Sequence, residues 1–268
     1  MNAILKYPGA KWGLADWIIS RFPPHHSYLE PFFGSGAVLF QKPRSNIETI
    51  NDLDGDVVNL FACIRQDPER LARAVYYTPY SRQEHERSYL EDASAEPFDR
   101  ALRFLIRCNQ GYGARTNEIR VGWKNDVQGR ERAYAARGWT ELPEIIAHAA
   151  ERLRGVQIEC RSAVDVISRF NAPDVLIYCD PPYVLSSRSR GKRQYRHEMT
   201  DQDHEKLLSV LKAHRGPVLV SGYRSELYDR ELEGWRRETT TATDQLSRRR
   251  KEFLWMNFEP ERYQETLF

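Results

Sequence analysis

Val175-Leu176-Ile177-Tyr178-Cys179-Asp180-Pro181-Pro182-Tyr183 is the stretch on which the fold of this chain turns. Its first half is apolar and β-branched, bounded by Pro173 and halted by Pro181, which reads as a buried strand of a parallel sheet. Its second half therefore falls at a strand's carboxyl end, the rim on which open α/β sheets bind ligands. A carboxylate, two backbone units stiffened by proline and an aromatic ring stand there together. They suit a planar group carrying an amino function, its hydrogens accepted by acid and carbonyl and its face covered by the ring. The same four residues also read as a plain turn, so the surrounding chain decides between the two.

Length and composition narrow the field. At 268 residues the chain has room for one large domain or two ordinary ones, with ample core. A formal net charge of +2 is too small to imply a nucleic-acid partner, so such a partner has to be argued from where basic residues cluster. No apolar run approaches the ~20 residues that span a bilayer, and the amino terminus lacks a secretory core, which predicts a cytoplasmic protein without membrane contact. Cys63, Cys108, Cys160 and Cys179 are scattered, with no Cys-x-x-Cys and no histidines at ligand spacing, which predicts a reducing compartment and no metal. His25, His26, His197 and His204 read as surface or structural.

Upstream, Lys6-Tyr7-Pro8-Gly9-Ala10-Lys11 reads as a loop feeding a helical pattern through Trp12, Leu14, Ala15, Ile18 and Ile19. Ser27 to Phe40 reads as strand, glycine turn and helix start, the turn being Gly34-Ser35-Gly36. It is not the dinucleotide fingerprint, since Leu39 occupies the third glycine position. A second strand, Ile47 to Ile50, ends in Asn51-Asp52, an acid ~20 residues on, where nucleoside-binding α/β proteins grip ribose hydroxyls. Asp52 also reads as a cap of the helix beginning near Gly55.

Residues 67–150 then break the alternation with helical stretches rich in Glu and Arg, among them Arg82 to Leu90 and Asp99 to Cys108. This divides the chain into a catalytic core in two parts, 1–66 and 151–268, around a mainly helical insert. Within the insert, Arg107 to Arg115 and Ile119 to Asn125 mix glycine, amides, arginines and aromatics, a mixture that reads base edges and phosphates or forms an ordinary loop. The alternation resumes with a strand at Val156 to Cys160 and a helix from Ala163 to Phe170. Beyond Tyr183 come Arg188, Arg190, Lys192, Arg193 and Arg196, with no acid before Glu198. So close to the rim, this basic run reads as phosphate contact rather than a solvated face. Thr200-x-x-Asp203 marks a capping box, Val218 to Val220 a further buried strand, and Trp235 to Thr243 with Glu252 to Phe258 a closing hairpin with a basic tip.

With these residues assembled, the chain resembles the Dam-type DNA adenine methyltransferases, prophage members above all. The resemblance is carried by Lys6 to Lys11, Glu30 to Gly36, Asn51-Asp52 and Asp180 to Tyr183, in that order. It implies a Rossmann-like S-adenosylmethionine-dependent methyltransferase sheet with helices on both faces, in a bacterial or phage protein acting on double-stranded DNA, with a restriction partner or as an orphan methylase. By the same resemblance Tyr7, Lys11, Glu30, Phe32, Gly34, Gly36, Asp52 and Asp180 hold the cofactor, and Asp180, Pro181, Pro182 and Tyr183 form the catalytic motif. The insert is then the target-recognition region, with Tyr112, Arg115, Lys124, Arg188, Arg190, Lys192 and Arg193 the candidate contacts to DNA. One departure is Ala10, where these enzymes usually carry glycine; an alanine held at positive φ is strained. Monomer and dimer are both compatible with these residues.

The reaction implied is methyl transfer to the amino group of a flipped-out adenine. Three other readings compete. The same motif suits cytosine, RNA or a protein glutamine as acceptor; the fold suits a DNA-binding relative without catalysis; and a nicotinamide-dependent oxidoreductase stands behind both because of Leu39.

Overall fold

The structure, a computed structural model, describes residues 2–90, 94–113, 119–125, 135–188, 194–243 and 249–260. Its strands are β1 (Ser27–Glu30), β2 (Ile47–Asn51), β3 (Gln157–Glu159), β4 (Val175–Cys179), β5 (Val218–Gly222), β6 (Arg236–Thr243) and β7 (Arg249–Met256). The helices are α1 (Ala15–Ile19), α2 (Gly55–Gln66), α3 (Pro68–Tyr77), α4 (Arg82–Arg87), α5 (Pro97–Gln110), α6 (Ala135–Arg152), α7 (Ala163–Arg169), α8 (Asp201–Lys212) and α9 (Glu226–Glu231), with a 3₁₀ turn at Leu185–Ser187.

All seven strands join one sheet in the order β3-β2-β1-β4-β5-β7-β6. The first five run parallel, whereas β7 is antiparallel to both β5 and β6. The period-2 alternation of β4 sorts its side chains: Leu176 and Tyr178 join one core, and Val175, Ile177 and Cys179 the other. The first core is closed by α2, α3, α5 and α6 together with Ile4 and Leu5; the second by α7, α8 and α9. Strand order reverses between β1 and β4, so the loops leaving these two strands diverge and open a crevice at their carboxyl ends.

The helical residues between α2 and β3 share the first core instead of forming one of their own, since Leu71, Phe104, Trp139 and Leu142 pack with Leu60, Phe61 and Tyr28. Trp139 adds a hydrogen bond from its indole nitrogen to the Thr78 carbonyl at 2.9 Å. A buried ion cluster ties α6 to β2: Glu48 accepts from Lys42 Nζ at 2.6 Å and from Arg152 Nη2 at 2.8 Å. The Thr200 capping box forms with both of its hydrogen bonds.

The turn after β1 departs from expectation. Gly34 and Gly36 adopt φ of 49° and 69°, but residues 37–41 form successive turns rather than a helix. Only six residues separate Gly36 from Pro43, and the residue before a proline is driven out of the helical region, so there is room for little more than one turn.

Candidate active site

At the crevice, a cavity of about 440 Å³ is bordered by segments from widely separated parts of the sequence. Tyr7 to Lys11 lie on one side; Glu30 to Ser35 follow β1; Asp52 to Asp54 follow β2; and Asp180 and Pro182 follow β4. Ser162 to Val164 and the segment Tyr195 to Met199 complete the wall. The sequence-predicted Tyr7, Lys11, Glu30, Phe32, Gly34, Asp52 and Asp180 thus converge on one space.

Each is placed by local chemistry. The Asp52 carboxylate accepts the Gly34 amide at 2.8 Å and the Asp54 amide at 2.9 Å, so it shapes the glycine turn; Asp54 caps α2 by accepting from the Asp56 amide. Burial pushes Asp52 up to about 6 even so. A Cβ on Gly34 would stand 3.0 Å from the Tyr7 ring, which is why a residue with φ of 49° and no side chain is needed there. In the amino-terminal loop the positive φ falls on Gly9, at 70°, where glycine is present. Glu30 accepts the hydroxyl of fully buried Tyr28 at 2.8 Å, and burial pushes its carboxyl up to about 8.

Asp180 is held on both oxygens. Lys11 Nζ donates to Oδ2 at 2.9 Å and Ser221 Oγ to Oδ1 at 2.7 Å, and the Ser221 hydroxyl is in turn 3.0 Å from Tyr178 Oη. Lys11 also donates to the Gly9 carbonyl at 2.7 Å and lies 4.9 Å from the centre of the Tyr183 ring. Burial opposes its charge, but the Asp180 and Glu252 carboxylates outweigh burial and leave the ammonium above its usual range. Lys11 therefore serves the carboxylate of the motif as well as bordering the cavity.

Four residues differ from expectation. Gly36 does not border the cavity; a Cβ there would meet Phe33 at 2.4 Å and Phe40 at 2.6 Å, so its role is packing. Pro181 and Tyr183 are also outside its lining; Tyr183 packs at 63° to Tyr223 and donates its hydroxyl to Glu252 at 2.8 Å. Arg188, expected at phosphates, is drawn inward: it pairs with Glu198 at 2.9 Å and lies over the Tyr195 ring. Glu198 also accepts the Gln194 and Tyr195 amides, and Arg196 reaches Asp54 and Asp56 beyond β2. This segment straps the cavity.

Of the remaining expected DNA contacts, Tyr112 and Lys124 flank the bridge between Gly111 and Trp123, and Tyr112 is half exposed. Lys124 stands near Lys6, whose ammonium is brought down to about 8 by burial and by that neighbouring charge. Arg115, Arg190, Lys192 and Arg193 lie outside the described residues. Sequence reasoning missed Tyr195, the one aromatic in the basic run, and Glu252, the acid that immediately precedes the apolar half of β7. No group of three or more metal-ligating side chains occurs among the described residues.

The strand order, with the antiparallel β7 between β5 and β6 and a carboxylate motif at the switch point, is that of a Rossmann-like methyltransferase. Comparison of the sequence narrows the class. The chain belongs to the D12 class N6 adenine-specific DNA methyltransferase family, whose model matches residues 7–243. It is 28% identical to the DNA adenine methylase of Salmonella typhi over 237 residues, covering 84% of this chain and 82% of that one. The DNA adenine methylase of Escherichia coli strain K12 is 27% identical with the same coverage. The DNA N-6-adenine-methyltransferase of Escherichia phage P1 is 26% identical over 80% of this chain and 28% of its own length. No described helix is long and apolar enough to cross a membrane.

Proposed function

We propose that the chain transfers a methyl group from S-adenosylmethionine to the N6 amino group of an adenine flipped out of double-stranded DNA. The observation that carries this reading is the Asp180 carboxylate, opening into the same cavity as the Gly34 turn and Asp52.

The cavity suits a nucleoside-bearing cofactor. Its volume is in the range of small-molecule sites, and Phe32, Leu53 and Ala163 give apolar walls. Asp54 Oδ2, buried at its edge, has no hydrogen-bond partner among the described residues, an acceptor left for a hydroxyl donor. Tyr7, Glu30, Phe32, Gly34 and Asp52 are the residues that would hold the cofactor. When bound, S-adenosylmethionine supplies a methyl group on a positively charged sulfur, an electrophile that needs little activation.

The protein's own task is the acceptor. Adenine's amino nitrogen is a poor nucleophile because its lone pair is delocalised into the ring. Lys11 and Ser221 each occupy one site on the Asp180 oxygens, and a carboxylate with about four such sites keeps capacity for the amine. The Asp180 carboxylate and Pro181 carbonyl accept the two amino hydrogens, drawing the nitrogen toward tetrahedral geometry and freeing its lone pair. Formation of the N–C bond would break the sulfur–methyl bond and leave S-adenosylhomocysteine, and the nitrogen would then shed one proton, for which Asp180 is the acceptor in reach. Tyr183 offers the extruded base a stacking surface, which offsets part of the few kcal/mol of unstacking. Tyr112 and Lys124, with Lys6 beside it, are the proposed DNA contacts; among the described residues neither lysine has a carboxylate partner.

The test is transfer of labelled methyl to unmethylated DNA, followed by mass spectrometry of the nucleosides. N6-methyladenine is the expected product, and Asp180→Ala lowers its rate at least about 100-fold while cofactor binding survives. Methylcytosine alone, or label in no base, would overturn the reading.

A further inference from the structure

We propose that Glu252 is a positioning residue for methyl transfer, fixing the ring of Tyr183 against which the target base stacks; the proposal rests on the function inferred above. Its starting point is the pattern of β7. Alternate residues of a strand share a face, so Glu252 points the same way as Leu254 and Met256, both fully buried in the first core. An acid at that position is only 7% exposed. Strand pairing does not call for it, because Thr240 opposite belongs to a β6–β7 ladder that any β-branched residue would satisfy. Burying a carboxylate is costly unless its partners are specific, and here they are.

The partners all belong to the rim. Glu252 Oε2 accepts the Tyr183 hydroxyl at 2.8 Å. Lys11, which donates to Asp180, is close enough for Glu252 to favour its charged form. Tyr223, just past β5, packs at 63° to Tyr183 with ring centres 4.5 Å apart. The Tyr183 ring is thus fixed at its tip by β7, over its face by Lys11 and at its flank by Tyr223. Glu252 is paired to Thr240 of β6, and the pairing of β7 to β5 begins at the next residue, Phe253, so the anchor at the tip is held by the sheet. An untethered tyrosine at the end of a proline-stiffened loop swings about its side-chain torsions. Tethered, it presents one plane, and the base that stacks on that plane brings its amino group to Asp180 in one orientation. Small misplacements of a reacting group are costly, so the tether is read in turnover more than in binding.

The experiment compares Glu252→Ala, Glu252→Gln and Tyr183→Phe, alone and combined, in steady-state methylation of a DNA duplex, with concentrations set by active-site titration. Glu252→Ala should lower kcat about 10- to 100-fold, the range for losing a hydrogen bond to a charged acceptor, with little change in KM for DNA. Glu252→Gln keeps an acceptor for the tyrosine hydroxyl and should recover kcat to within about threefold of wild type. Tyr183→Phe should lose about as much as Glu252→Ala, and combining the two should add little. Wild-type kcat in titrated Glu252→Ala, losses that multiply in the double variant, or a loss of activity accounted for entirely by a smaller folded fraction would each overturn the positioning role while leaving the methylation reading intact. Absence of methyl transfer by the wild-type protein itself would overturn both.

Discussion

The most exacting prediction concerns Glu30, a carboxyl inside the fold that borders the cofactor cavity. Burial lifts it from the ordinary 4.5 to about 8, which corresponds to about 5 kcal/mol at about 1.4 kcal/mol per pH unit. Below pH 4.5 the group is neutral in folded and unfolded chains alike and costs nothing. As pH rises from 4.5 to 8 the unfolded chain ionises first, so folding loses stability across that window. Above 8 the folded carboxyl ionises as well and the loss levels off. Glu30→Gln removes the titration but keeps an acceptor for the Tyr28 hydroxyl. Urea unfolding followed by tryptophan fluorescence between pH 4 and 9 should therefore show the variant gaining on wild type as pH rises, by several kcal/mol in total and most steeply between pH 5 and 8. A stability difference that stays flat over that window would refute the reasoning, because it would mean that Glu30 is as ionised in the fold as outside it.

Four further outcomes follow from the same geometry. Gly34→Ala places a side chain at φ of 49° against the Tyr7 ring; it should cost about 1–2 kcal/mol of stability and weaken S-adenosylmethionine binding about tenfold by calorimetry. Glu48→Gln leaves Lys42 and Arg152 buried without their shared carboxylate and should cost about 3–5 kcal/mol in urea unfolding. Lys42→Met should cost less, because Arg152 keeps its two bonds to Glu48. Glu198→Ala releases Arg188 and two backbone amides at once; tryptic cleavage after Arg196 should accelerate, and added S-adenosylmethionine should restore protection.

Much of this protein was written in local pattern. The apolar run ending in Asp180-Pro181-Pro182-Tyr183 specified a buried parallel strand and its exposed end, because proline stops the ladder within a residue or two whatever lies around it. The Thr200 capping box and the closing hairpin were likewise readable from neighbours in the chain. Gly34 and Asp52 could be singled out separately, one for its backbone freedom and one for its place after a strand.

The tertiary structure decided which of those features meet. Strand order is not a local property, so only the fold showed that β1 and β4 are adjacent and that Lys11 and Ser221, from opposite ends of the chain, share the Asp180 carboxylate. It also redirected residues whose charge had suggested an outward role: Arg188 turned in to Glu198 because a buried carboxylate has to be neutralised by whatever cation reaches it. Gly36 was required by Phe33 and Phe40 rather than by a ligand, a packing demand invisible in the spacing of glycines. Glu252 is the sharpest case, since an acid on the last strand acquires meaning only when an antiparallel register brings it to the hydroxyl of Tyr183, 69 residues away in sequence.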